Sequence, residues 1–411
     1  MKPVVRKPNV RRALTHVGGE TTVEGDTTRG ALLANALEVP TSEAVEEAAR
    51  AHVHGFHSYP ARMHPLTARR LVEAFSRPGE VVLDPFCGSG TVLVEARLAG
   101  RRAMGVDANP LAVRLAALKV RDRTERERSK LVEAARDVAL FADERRKAKT
   151  GPTRRYGPED LELFERHVLL ELDSVRAGID RIESEGLRGA LELVLSAILT
   201  KVSRRTSDTS QHEHARRIAA GYPAKLFVRK TEELARRLGE VAEPLAAAPP
   251  ARVLEGDARD LSGVDTRSVD LVVTSPPYPG VYDYLAHHEA RLRWLRLEPQ
   301  RFARAEIGAR RRLDPMGPSE GVARWADEVG EVLAAMARVL RPTKPAILLI
   351  ADSVVAGRPI YAVDLLRRVA PRVGLELDTV ASQPRQHFHI PTRQAFEARP
   401  RQEHAVLLVR R

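Results

Sequence analysis

The sequence predicts an α/β fold: a largely parallel sheet of seven strands, interrupted by a helical insertion. Three observations predict it. Between Val81 and Gly100 an apolar run, a glycine turn and a helical run follow one another, and a second apolar run then ends on Asp107. Strand, turn, helix, strand is a βαβ unit, which requires parallel pairing. From about residue 121 to 247 the period becomes that of long charged helices, and beyond it the strand pattern resumes. This divides the chain into an N-terminal arm (1–45), a first half of the sheet domain (46–120), a helical insertion (121–250) and a second half (251–411).

Taken in order, the arm holds Lys2, Arg6, Lys7, Arg11 and Arg12 without an acid among them, and is expected to be a solvated terminus. SEAVEEAARAHV from about Thr41 reads as a helix, followed by the His- and Pro-rich HGFHSYPARMHP and a helix over Thr67–Phe75. VVLD is a buried-type strand, FCGSG a tight turn, TVLVEARLAG a helix and RAMGVDANP a strand ending on an acid. The insertion is closed by the linker PLAAAPPA. Further strands are expected near Val253, Leu271, Ile347, Leu375 and Ala405, with a helix over Ala362–Val369. The first five strands feed crossover helices, and the last two can pair antiparallel.

With 411 residues the chain has room for a large core, and 43% hydrophobic against 30% charged residues is the balance of a folded globular protein. A single cysteine excludes a disulfide framework and a cysteine-cage metal site, and fits a reducing cytosol, so a cytoplasmic location is expected. The longest apolar runs, such as Ala346–Ala351, fall far short of the roughly 20 residues that span a bilayer. MKPVVRKPNVRR lacks the apolar stretch of a secretory signal. The net charge of +12 points to an anionic partner, nucleic acid first, although an Arg-rich composition also follows from a GC-rich genome.

Two motifs carry chemistry. In DPFCGSGT, Gly88 and Gly90 let the backbone approach a ligand where a side chain would collide. Gly88 precedes Asp107 by 19 residues, the spacing at which a carboxylate can hold a ribose diol. NAD, FAD and S-adenosylmethionine all suit such a turn. Position 93 is Leu where a dinucleotide fingerprint has its third glycine, which weakens the pyrophosphate reading. The second motif, TSPPY (Thr274–Tyr278), follows the apolar strand VDLVV at its carboxyl end. Two prolines remove two donors and stiffen the turn. A Ser hydroxyl and free carbonyls can then accept from the exocyclic amine of a planar base, while Tyr278 stacks on its ring.

HSYPARMHP, LDPFCGSGT, GVDANP, EGDARDL and TSPPY, in that order, resemble the motifs of S-adenosylmethionine-dependent amino-group DNA methyltransferases. The Ser-Pro-Pro-Tyr form is similar to the cytosine-N4 branch, whereas adenine-N6 enzymes more often have Asp or Asn before the prolines. The resemblance covers roughly residues 55–125 and 250–411. It implies a seven-stranded Rossmann-like methyltransferase sheet. It also implies S-adenosylmethionine as cofactor, with Tyr59, Pro60 and Ala61 near the methionine part. Asp84, Phe86, Gly88, Gly90 and Thr91 would form the pocket, Asp107 would hold the ribose, and Asp257 would sit near the adenine. Ser275, Pro276, Pro277 and Tyr278 would be the catalytic turn that grips the flipped target base. The partner implied is DNA, with a cognate restriction endonuclease left open and the oligomeric state unassigned. Adenine-N6 methylation at the same site is the alternative, followed by an RNA amino-methyltransferase or a non-catalytic nucleic-acid binder. A helical insertion of this length between the second acidic motif and the third departs from the family's usual layouts.

Other constellations carry less. Cys87 lies inside the glycine turn and reads as packing rather than as a nucleophile. His52, His54, His57 and His64, and His387 with His389, lack Cys or acid ligands at fixed spacing, so no metal site is expected. SRRTSDTS, with Arg204 and Arg205, and RFARAEIGARRRL, with Arg310, Arg311 and Arg312, suit phosphate contact, against a bland reading as solvated surface.

Overall fold

The computed structural model describes residues 20–205, 217–385 and 390–410. Its strands are β1 (Thr22–Gly25), β2 (Val81–Asp84), β3 (Arg102–Asp107), β4 (Ala251–Glu255), β5 (Leu271–Thr274), β6 (Pro345–Ala351), β7 (Ser353–Val355), β8 (Arg358–Ile360), β9 (Leu375–Pro384) and β10 (Gln402–Arg410). Eight of them form one sheet in the order β1-β9-β10-β6-β5-β2-β3-β4, and β7 pairs with β8 in a separate hairpin. Strands β4, β3, β2, β5 and β6 run parallel, and β10 lies antiparallel between β6 and β9. β5 is buried along its whole length, as is nearly all of β6. A strand covered on both faces needs a continuous apolar run, which is why LVVT and PAILLIA show no alternation.

The seven expected strands are β2, β3, β4, β5, β6, β9 and β10; the main sheet has an eighth. β1 is exposed at every residue and joins the edge by backbone pairing, Thr22 opposite Ser382, with an ion pair from Glu24 to Arg367. An edge strand with no buried face leaves no periodicity to read. The helix Thr27–Leu37 follows it, capped by the Asp26 side chain, and buries Leu33, Ala36 and Leu37. Residues 22–37 therefore belong to the sheet domain and not to an arm, a correction; residues 1–19 lie outside the described residues. The helix expected from Thr41 is shorter than read, Glu43–Ala48, because the backbone turns at His52 (φ +37°) into a 3-10 segment over His52–Gly55.

Between β3 and β4 the described residues after the helix Pro110–Val120 form helices, the long ones being Glu125–Lys147, Arg166–Asp180, Glu185–Val202 and Tyr222–Gly239. Thr124 and Glu127 close a reciprocal capping box on the first of the four. This insertion is not a lobe apart. Leu191, Leu195 and Phe227 share one buried cluster with Leu71, Leu93 and Leu115 of the helices flanking the sheet. Each fully buried Leu contributes about 1.5–3 kcal/mol, so the sheet domain would lose one wall of its core without the insertion.

From β2 the chain steps outward through β3 to β4, then returns to place β5 and β6 on the other side of β2. The strand order thus reverses between β2 and β5. Open α/β sheets bind ligands at that reversal, outside the carboxyl ends of the strands.

Candidate active site

Both motifs lie at the reversal. After β2 the glycine turn enters the helix Thr91–Leu98 with Gly88 at φ +49° and Gly90 at φ +83°. A Cβ on Gly90 would lie 3.0 Å from the Ala116 backbone, and one on Gly88 would lie 3.2 Å from the Tyr59 ring. Leu93, at the place of the missing third glycine, is accommodated from the opposite side. Its side chain packs where a Cβ on Gly105 would be, 2.5 Å away, so β3 supplies the glycine that the helix lacks.

Two carboxylates, the buried Asp84 and the half-buried Asp107, shape the turn. Asp107 accepts from the Gly88 N–H through one oxygen and from the Asn109 N–H through the other, both at 2.8 Å. Asp84 accepts from the Phe86 N–H at 3.1 Å and from the Thr274 hydroxyl at 2.7 Å, which fastens the glycine turn to the end of β5. Desolvation raises Asp84 to about 7 and Asp107 to about 6. Neither carboxylate has a cationic partner within ion-pair distance among the described residues.

A cleft of about 840 Å3, open to solvent, lies over these groups. It is lined by Tyr59, Pro60 and Ala61, by Asp84, Phe86, Gly88, Thr91 and Asp107, and by Ser275 and Pro277. The structure thus brings most of the expected site residues to one cavity. Gly90 instead caps the following helix. Asp257 is held by Arg259, whose Nη2 donates to it at 2.6 Å, and its neighbour Ala258 takes the place in the lining. Pro276 and Tyr278 do not line the cleft either. Tyr278 is only 6% exposed, with its hydroxyl 3.2 Å from Glu403 and 3.4 Å from the Leu349 carbonyl. Its ring is part of the core rather than an open platform, a correction to the stacking surface expected from sequence.

Sequence reasoning missed the opposite wall. Tyr284, Phe302, Glu306 and Ile307 also line the cleft. The last three come from the basic segment expected to touch phosphate. There Arg311 donates to the Glu306 carboxylate at 2.6 Å, and Arg312 donates to the Glu306 carbonyl at 2.6 Å and approaches Glu328 at 3.4 Å. Arg310, with its side chain 60% exposed and 3.8 Å from Asp283, is the most open of the three. Arg204 donates through its backbone to the Leu163 carbonyl at 2.8 Å, and Arg205 is exposed. Thr206–Ser210 of that segment, like His387 and His389, lie outside the described residues.

Also missed was Arg291, 1% exposed, which reaches the Ser58 hydroxyl (3.2 Å), the His57 ring (3.1 Å) and the Thr200 hydroxyl (2.8 Å). It ties the insertion helix Glu185–Val202 to the segment bearing Tyr59, whose ring stacks on His288 with centroids 4.9 Å apart. His54 Nε2 lies 2.7 Å from Glu95, and His52 joins them as a converging group. Arg62 adds positive charge beside it, which opposes a cation there. Cys87 is buried and packs against Gly105.

Residues 30–118 match a family model described as N6_N4_Mtase, DNA methylase. The chain is 33% identical over 69 residues to the Type II methyltransferase M.MjaII of Methanocaldococcus jannaschii, covering 17% of this chain and 13% of that protein. It is 27% identical over 251 residues to the Type II methyltransferase M.MvaI of Kocuria varians, covering 55% and 53%. It is 40% identical over 77 residues to the tRNA (guanine(10)-N2)-dimethyltransferase of Methanothermobacter thermautotrophicus, covering 18% and 22%. The chain therefore spans about half the length, or less, of these relatives. Among solved structures, the rRNA methyltransferase aviRa from Streptomyces viridochromogenes aligns over 91% of this chain and 94% of its own, at 13% identity and a TM-score of 0.34. No helix among the described residues is long and apolar enough to cross a membrane.

Over residues 30–118 the chain is similar to the N4/N6 DNA methylases, a likeness that implies S-adenosylmethionine as cofactor. The cleft fits that group. Asp84 and Asp107, without a cationic partner among the described residues, offer carboxylates to a ligand that carries a sulfonium and an ammonium. The buried Ser89 and Thr91 hydroxyls have no hydrogen-bond partner among the described residues.

Proposed function

We propose that this protein transfers a methyl group from S-adenosylmethionine to the exocyclic N4 amine of a cytosine in DNA. The observation that carries the reading is the 2.7 Å hydrogen bond from Thr274 to Asp84, which holds Ser275 at the same cleft as Gly88 and Asp107. When bound, the cofactor supplies a methyl already activated on sulfur. The chain's own task is placement.

Asp107, fixed by two backbone amides, keeps lone pairs for the ribose hydroxyls. An amine conjugated to a base is a poor nucleophile because its lone pair is spread into the ring. The Ser275 hydroxyl donates toward the Tyr278 oxygen at 3.4 Å, so its lone pairs are left to accept from that amine. Accepting there favours a tetrahedral nitrogen and offsets the positive charge that develops on it. Pro276 and Pro277 have no N–H, so the turn offers carbonyl acceptors without a competing donor. Serine is a weak base, and the proton leaves to water after transfer. A duplex hides the amine, so the base must be flipped to reach Ser275.

The Ser-Pro-Pro-Tyr form supports cytosine over adenine, and the two Type II relatives support DNA as the partner. Incubation of the purified protein with unmethylated genomic DNA, digestion to nucleosides and mass analysis tests the reading. N4-methylcytosine is expected. N6-methyladenine would select the adenine alternative. Methylation of tRNA but not of DNA would redirect the site to RNA, a reading favoured by the tRNA dimethyltransferase relative.

A further inference from the structure

Beside the Ser275–Tyr278 turn lies a buried charged pair that no step above uses. The side chains of Arg385, which follows β9, and of Glu403, on β10, are 4% and 1% exposed. Arg385 Nη1 donates to Glu403 Oε1 at 3.3 Å, and the same oxygen accepts from the Tyr278 hydroxyl at 3.2 Å. The guanidinium also lies over the Tyr278 ring, 5.6 Å from its centroid. Desolvating two charges costs about what their attraction returns, so such a pair is a weak way to stabilise a fold. One donor is unspent as well: Arg385 Nε is buried without a hydrogen-bond partner among the described residues.

The bases that present an exocyclic amine of this kind differ beside it. Cytosine has two acceptors in succession, N3 and O2. Adenine has N1 followed by a C2–H. A guanidinium edge can donate to two adjacent acceptors at once, and against adenine it would keep one buried donor unpaired.

We propose that Arg385, which stands behind the Ser275–Tyr278 turn and outside the cleft lining, selects cytosine over adenine by donating to the N3 and O2 edge of a base flipped into that turn. Glu403 is the positioning residue that holds the guanidinium beside Tyr278. The inference rests on the cytosine-N4 reading above.

The full-length protein is first used to map the methylated position on genomic DNA. Two duplexes are then made that carry cytosine or adenine at that position, and each is assayed with S-adenosylmethionine. Arg385→Met should lower kcat/KM on the cytosine duplex by at least about tenfold and narrow the cytosine-to-adenine ratio. Arg385→Lys should restore part of both. Cofactor affinity by calorimetry should stay at the wild-type value. If wild type yields only N6-methyladenine, or methylates only RNA, the cytosine reading fails and takes the inference with it. If wild type yields N4-methylcytosine while folded Arg385→Met keeps both rate and ratio, the inference alone is overturned. A matching loss of cofactor affinity and turnover would also overturn it, in favour of a structural role. Should Arg385→Met not fold, Glu403→Gln keeps an acceptor for Tyr278 and removes the charge that holds Arg385. An unchanged ratio in that variant overturns the proposal, and a narrowed one supports it.

Discussion

The turn after β2 is shaped from within. Its two left-handed glycines set the path, and its own amides, with that of Asn109, bind the two carboxylates that flank it. The turn after β5 is shaped from a distance, by Asp84 on β2, by the Leu349 carbonyl on β6 and by Glu403 on β10. The first turn is therefore specified mostly by a short stretch of chain, and the second by residues as far as 190 positions away. A lesion in the first should act through backbone geometry and reach folding and cofactor together. A lesion in the second should separate binding from chemistry.

The largest effect that would break this contrast is expected at Gly90. Valine there meets both a left-handed φ and the Ala116 backbone, strain plus overpacking worth about 2–6 kcal/mol. Chemical denaturation should show that loss, together with loss of cofactor binding; wild-type stability would mean that the turn is less fixed than its geometry implies. Next comes Asp107→Ala, which should weaken S-adenosylmethionine binding by about 1.5–3 kcal/mol by calorimetry.

The same carboxylates predict a pH dependence. In the ligand-free protein Asp84 and Asp107 are raised from 3.8 to about 7 and about 6 by desolvation. The fold favours their neutral forms, so the stability they contribute is full below the ordinary value and is lost as pH rises through 6 and 7. A cationic ligand prefers the ionised forms. Its affinity should climb over that same range, and Asp84→Asn should flatten the upper part of the climb. A pH-independent affinity in wild type would remove the carboxylates from the cofactor site.

In the second turn, Ser275→Ala should cut methyl transfer by about tenfold to a hundredfold while cofactor affinity holds. Equal losses in both would make the two turns one structural unit and erase the distinction. The smallest effect is expected at the basic segment. If Arg310 touches phosphate, Arg310→Ala should flatten the slope of log K against log salt by about 0.9 on any DNA sequence and leave the cofactor alone. Arg312→Ala should instead disturb cofactor binding, because Arg312 is spent on Glu306 and Glu328 in and behind the cleft wall.

The glycine turn, Asp107 and Ser275 were legible in the sequence because each follows an apolar strand within a few residues, and strand ends at a reversal define the cleft. Phe302, Glu306 and Arg291 were not. Their positions depend on how helices fold back over the sheet, and no local period records that. Of the arginines at 310–312 only the charge is visible in the sequence; Glu328 and Asp283, which face them, are not adjacent in it. β1 escaped because it has no buried face to leave a period in the sequence. Gly105 could have been found, since a glycine inside an apolar strand opposite Leu93 marks a close approach.

The pairing of β1 with β9 also constrains how the molecule is made. Thr22 and Ser382 meet although 360 residues separate them. At a synthesis rate of about 5–20 residues per second, roughly 20–70 s pass between the ribosome's release of one partner and the other. Through that interval the apolar underside of the helix Thr27–Leu37 has no β9 to cover. Nascent chains stalled shortly before residue 375 should therefore be captured by chaperones that bind exposed apolar helices, and the released chain, in which β10 joins β9 to β6, should not.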